Sequence, residues 1–122
     1  LDRVFDVAPV TSCGCTVAFA GLTVTNGSAN AVNFNAGGAI FIGFGTTASI
    51  ADSLISSSAA TTSGGGVEAR GASLALANVS FQNNRAAAAG GALRAIGDLA
   101  ITGGGFTANE AEFGGAIALA QG

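Results

Sequence analysis

The sequence has no histidine and no lysine, and its only cations are four arginines. A face that grips nucleic acid needs clustered Lys and Arg, so that class of partner is excluded. Acids outnumber arginines, but a net charge of -3 is too small to imply a cationic partner. Charged residues make up only 9% of the chain, against about 25% in an ordinary globular domain. Low charge with many glycines could suggest disorder. However, disorder goes with poor hydrophobicity, and this chain is 49% hydrophobic. Long apolar runs are also missing: the apolar bursts stop far short of the roughly 18 residues a membrane span needs. No span is therefore expected in this segment. The chain does not begin with Met and opens on no basic-then-apolar leader. It is expected to be a segment of a longer protein or a processed form, with any signal peptide or anchor outside it.

The scarcity extends to catalytic groups. Two cysteines, Cys13 and Cys15, are the only thiols. A zinc site needs about four ligands, and with no His available neither a metal site nor a cofactor is expected. Asp2, Asp6, Asp98 and Glu112 lie near a terminus or a turn, and Asp52 stands alone, so no two carboxylates are placed for glycoside hydrolysis. The glycine run in "GGGVEARG" lacks the Lys and the Ser or Thr of a phosphate loop. The expectation is a chain with no catalytic residue.

What the chain has is repetition. Four glycine pairs each precede a small residue and then an aliphatic one: Gly37-Gly38, Gly64-Gly65, Gly90-Gly91 and Gly114-Gly115. Successive pairs lie about 25 residues apart, a period that signals a repeat architecture. Other anchors keep the same frame. Val24, Ile55, Phe81 and Phe106 form one set, Phe19, Ile50, Leu76 and Ile101 another, and Ile40, Val67, Leu93 and Ile117 a third. Within each unit the apolar residues alternate with period two, which reads as strand. The five-residue step from Leu76 to Phe81 reverses that parity once, as a bulge would. A single unit has one apolar face and nothing to bury it against. Stacking the units buries all the faces in one column.

The fold predicted is therefore all-β: a right-handed parallel β-helix of about four coils, one domain over 1–122, with repeats in 17–122. Residues 1–16 are read either as a preceding coil or as an end cover. The three anchor sets become core columns. The glycine pairs become corners, where φ > 0 or a close backbone approach is required. Asn84 and Asn109 mark another corner, where Asn tolerates the left-handed region and its amide can bond to the next coil.

The tetrapeptides Phe81-Gln82-Asn83-Asn84 and Phe106-Thr107-Ala108-Asn109, with the "GGA[I/L]" corners, resemble the repeats of chlamydial polymorphic outer-membrane proteins. "GLTVTNG", residues 21–27, resembles a repeat of secreted bacterial and algal β-helix proteins. The likeness covers residues 17–119 and departs from the pattern at Val24/Gly27 and Ile55/Ser58. It implies an extracellular or cell-surface structural or adhesive segment that meets other protein chains of a surface assembly or matrix. Glycans are a further partner class. The alternative is a non-catalytic carbohydrate-binding part of a polysaccharide-acting β-helix enzyme, which an outward stripe of aromatics would favour.

Several residues carry finer expectations. Glu68 with Arg94, and Arg85 with Glu110, fall on outward columns of adjacent coils and predict two exposed ion pairs. Phe41 shares the outward column of Glu68 and Arg94. Phe34, Phe44 and Phe113 stand where the first coil is longer or a corner begins; either another chain covers them or they fold back to fill the widened coil. Two cysteines in a low-charge chain suggest oxidation. Cys13 and Cys15 either pair with each other across Gly14 or each pair with a cysteine outside this segment. Asn26-Gly27-Ser28 and Asn78-Val79-Ser80 match the N-glycosylation acceptor pattern, and Asn78 is expected to point outward.

Overall fold

A computed structural model describes residues 5–7, 14–29 and 37–120. The described residues are all strand and turn, and no helix among them is long and apolar enough to cross a membrane. The strands run β1 (Phe5–Val7), β2 (Thr16–Ala20), β3 (Thr23–Thr25) and β4 (Ser28–Ala29) in the first coil. The second coil holds β5 (Ile40–Ile42), β6 (Thr47–Ser56) and β7 (Ala59–Ala60); the third holds β8 (Val67–Arg70), β9 (Ser73–Gln82) and β10 (Arg85–Ala86). Then come β11 (Leu93–Ile96), β12 (Leu99–Thr102), β13 (Gly105–Thr107) and β14 (Ile117–Ala120).

Every pairing among these strands is parallel and joins one coil to the next. The product is a β-solenoid with three sheets along its length. One runs β1-β5-β8-β11-β14, a short one runs β10-β7-β4, and the broad one runs β12-β9-β6-β2, with β3 and β13 extending it. Phe5–Val7 add a rung ahead of Ile40–Ile42.

The register is the one the repeats predict. Val24 pairs with Ile55, Ile55 with Phe81 and Phe81 with Phe106. Ile40, Val67, Leu93 and Ile117 form a second column, and Phe19, Ile50, Leu76 and Ile101 a third. Inner members of these columns are fully buried, each worth roughly 1.5–3 kcal/mol of transfer free energy. The ends are less covered. Phe19 and Phe106 are partly buried against the core, and Ile101 is 39% exposed. The expectation that Ile101 is a core residue is thus corrected: it keeps its column beside Leu76 but stays exposed.

The parity shift has a definite seat. Gly21, Asp52, Asn78 and Gly103 occupy one column, and all have positive φ, between 50° and 67°. One left-handed residue per coil bends the broad sheet and flips the inward side, so Leu76 and Phe81 both face the core.

The glycine corners have two separate causes. Gly37, Gly64, Gly90 and Gly114 have φ between 59° and 67°, which residues with a Cβ rarely adopt. Their neighbours sit where coil meets coil: a Cβ on Gly65 would overlap the carbonyl oxygens of Gly91 and Arg85, and Gly38 and Gly91 are equally crowded. Gly115, on the last coil, meets only Asn109 O.

The asparagine corner differs in one respect from the sequence expectation. The left-handed residues are Asn26, Ser57, Asn83 and Ala108, one position earlier than expected. Asn84 and Asn109 instead serve through their amides. Gly27 N–H donates to Ser58 Oγ (3.1 Å), Ser58 N–H to Asn84 Oδ1 (3.1 Å) and Asn84 N–H to Asn109 Oδ1 (3.0 Å). In return, Asn84 Nδ2 donates to Ile55 O and Asn109 Nδ2 to Phe81 O, each at 2.9 Å. Each side chain caps a backbone N–H of the coil before it, at the place where the ladder breaks to turn.

Candidate functional site

The outward column of the first sheet runs Asp6, Phe41, Glu68, Arg94 and Ala118 in successive strands. Alternation alone would leave these side chains in water, because their neighbours on each side point into the core. The glycine corner prevents that. Its left-handed glycine reverses the chain so tightly that a Cβ on Gly64 would touch that of Glu68; Gly37 stands in the same way against Phe41 and Gly114 against Ala118. The segment entering the corner therefore lies over the outward column.

Two expectations are corrected here. Glu68 is fully buried, and Phe41 is 3% exposed. The Glu68–Arg94 contact exists at 3.2 Å, but its carboxylate is enclosed. Ser63, brought across the corner, donates its hydroxyl to Glu68 Oε1 at 2.6 Å. Glu68 Oε2 accepts from Arg70 Nη2 at 2.5 Å and Nε at 3.1 Å, and from Arg94 Nη1 at 3.2 Å. Arg94 Nη1 also reaches Ser63 Oγ at 3.3 Å. The guanidinium of Arg70 lies 5.8 Å from the centre of the Phe41 ring, a cation–π distance. A buried carboxylate is tolerated only when paired and hydrogen-bonded, and this one has three donor groups around it.

Arg70 is the participant that the column reading missed. Its signal was present in "VEAR": two residues from Glu68 along one strand, it projects from the same face. Ser63 gave no such signal, because its approach depends on how sharply the corner turns.

The second ion pair is of another kind. Arg85 and Glu110 face each other across an isolated bridge, with Nε 3.9 Å from Oε1 and both side chains 72% exposed. Such a pair is worth roughly 0–1 kcal/mol.

Asn78 and Asn26 are both exposed and left-handed. Asn78 Nδ2 donates weakly to Asp52 Oδ1 at 3.4 Å, so the bulge column carries a small polar pair on the broad sheet. Cys15 is disulfide-bonded; Cys13, Asp2 and Phe34 lie outside the described residues. Phe44 and Phe113 are 57% and 65% exposed. Phe44 lies over Gly71 after the second rung of the first sheet, whereas Phe113 stands before the last rung. They belong to opposite ends of that sheet's strands and do not form one stripe.

The outer side of the broad sheet carries mostly small side chains. Its columns read Thr16-Thr47-Ser73, continued by the exposed Asp98, then Ala18-Ser49-Ala75-Ala100 and Ala20-Ala51-Ala77-Thr102, with the exposed Asp52 in the bulge column beside them. Shallow hollows of about 270 and 220 Å³ lie on the short and broad sheets, lined mainly by Ala, Ser and Thr. Among the described residues no group of three His, Cys, Asp or Glu side chains is placed to hold a metal ion. Compared with known proteins, the chain matches no family model, no curated protein and no solved structure.

Proposed function

We propose that the chain is a structural or adhesive solenoid segment of an extracellular or cell-surface protein, acting through contacts between protein surfaces. The observation that carries this reading is the flat outer side of the broad sheet. Small Ala, Ser and Thr side chains, repeated in register over successive coils, form a plane that another protein surface can approach closely, with the exposed Asp52 and Asp98 carboxylates left for donors of the partner. Glu68 is satisfied within the chain, and Arg85 and Glu110 lie beside each other. The disulfide at Cys15 supports an oxidising compartment. The exposure of Asn78 supports its use as a glycan acceptor where the host has that machinery.

Fractionation of the source cells tests the reading. The chain is expected in the surface-exposed, protease-accessible fraction, and Ala75→Arg, at the centre of the flat face, is expected to release it into the medium. Recovery from the cytoplasm, or full retention of a folded Ala75→Arg protein, contradicts the proposal.

A further inference from the structure

We infer that the notch formed by Arg70 and Arg94 is a docking point for one acidic side chain, Asp or Glu, of a partner protein. The inference rests on the reading above that the segment works through protein contacts, and it names the chemistry of one such contact. Among Glu68, Arg70 and Arg94 two guanidiniums meet one carboxylate, so this trio carries one positive charge in excess, with Asp6 two rungs from Glu68 on the same column. The chain as a whole is at -3, which makes this a local reversal of sign. Among the described residues Arg94 engages Glu68 and Ser63 through Nη1, so its planar fork keeps an edge for a second oxyanion. The Arg94 and Arg70 side chains are 25% and 30% exposed and bond to the buried Glu68, which in turn accepts from the buried Ser63. Those bonds fix the arginine heads before a ligand arrives, which reduces the ordering cost of binding.

The limited exposure of Arg70 and Arg94 bears on the kind of anion. A carboxylate on the one or two slender methylenes of Asp or Glu can approach side chains that are 30% and 25% exposed. A sugar carboxylate is attached directly to its ring, and the ring would have to sit against the arginine stems. The exposed phenylalanines that could stack such a ring lie at opposite ends of the sheet.

The test titrates the chain with a synthetic Glu-rich octapeptide at low salt, by calorimetry, with an oligouronate in a parallel arm. Arg94→Gln removes the excess charge and is expected to weaken peptide binding by about tenfold or more, the range of a charge-assisted hydrogen bond. Arg85→Gln, an exposed arginine on another sheet, is expected to change it less than twofold. If Arg94→Gln does not fold, dicarbonyl footprinting of the wild-type chain replaces it: the peptide is expected to shield Arg70 and Arg94 and leave Arg85 reactive. No peptide binding at millimolar concentration, equal losses in the two variants, or equal shielding of Arg85 overturns the inference. So does binding of the oligouronate in preference to the peptide. These results leave surface attachment through the flat face untouched, so the two ideas fail separately.

Discussion

The phenyl rings of Phe81 and Phe106 lie one above the other in successive coils, with centroids 5.0 Å apart and planes tilted by 2°. Parallel in-register strands impose this face-to-face arrangement, since equivalent side chains repeat at the strand spacing. The two rings are not equal in cost. Phe81 is fully buried between Ile55 and Phe106, whereas Phe106 is only partly covered. Phe81→Ala is expected to cost about 3–5 kcal/mol, and Phe106→Ala clearly less. Urea unfolding of the two variants checks this; equal losses would mean that Phe106 is covered in solution by something beyond these coils.

Asn84 is the most heavily used side chain of the corner ladder. It accepts from Ser58 N–H and donates to Ile55 O and Asn109 Oδ1 inside the fold. Asn84→Ala leaves two buried backbone groups, Ser58 N–H and Ile55 O, unpaired and is expected to cost about 2–6 kcal/mol, at roughly 1–3 for each group stranded. Ser58 fills the same place one coil earlier and receives Gly27 N–H through its hydroxyl. Asn84→Ser is therefore expected to recover part of the loss. Thermal unfolding of the three proteins gives the ranking, and an Asn84→Ser protein no better than Asn84→Ala would remove the ladder from the account.

The columns were legible in the sequence because each residue's role is repeated by its counterparts about 25 positions away. Val24, Ile55, Phe81 and Phe106 needed no knowledge of the turns to be placed together. The burial of Glu68 and Phe41 was not legible in the same way. Period-two alternation says that they point away from the core, which is true, but not that Gly37 and Gly64 fold the preceding segment over them. Arg70 was readable from its spacing to Glu68, once Glu68 was seen to be enclosed. The displaced left-handed residue is a register detail: an Asn-Asn pair at 83–84 does not say which member takes the positive φ, and the φ of 54° at Ala108 shows that the choice follows the coil geometry more than the residue type.

Two glycines separate steric need from habit. Gly65 has the Gly91 and Arg85 carbonyls where its Cβ would stand, so Gly65→Ala must push two coils apart. A loss of about 1–3 kcal/mol is expected, the usual range for overpacking, with the higher end favoured because backbone atoms are in the way. Gly105, in β13, has nothing within 4 Å of that position. Gly105→Ala is expected to be neutral or stabilising, by up to about 1 kcal/mol, through the unfolded chain. Chemical denaturation of the pair decides it. Similar destabilisation by both substitutions would show that the crowding at Gly65 relaxes easily.

The buried carboxylate makes the sharpest energetic prediction, because it has two guanidinium partners. Removing either arginine leaves Glu68 with the other, together with the Ser63 hydroxyl. Arg70→Ala and Arg94→Ala are each expected to cost about 1.5 kcal/mol, the low end for a hydrogen bond to a charged group, because other donors stay on the carboxylate. The double variant strands a charge at a position with no exposure, a situation that typically costs about 3–5 kcal/mol. The double loss should therefore exceed the sum of the singles, with a coupling within the 0.5–3 kcal/mol range seen for residues that share a partner. The same cycle on Arg85 and Glu110, which stand in water, is expected to give roughly 0–1 kcal/mol. Additive losses at Arg70 and Arg94 would mean that Glu68 reaches solvent once its partners are gone, and the enclosed site would then be looser than its contacts imply.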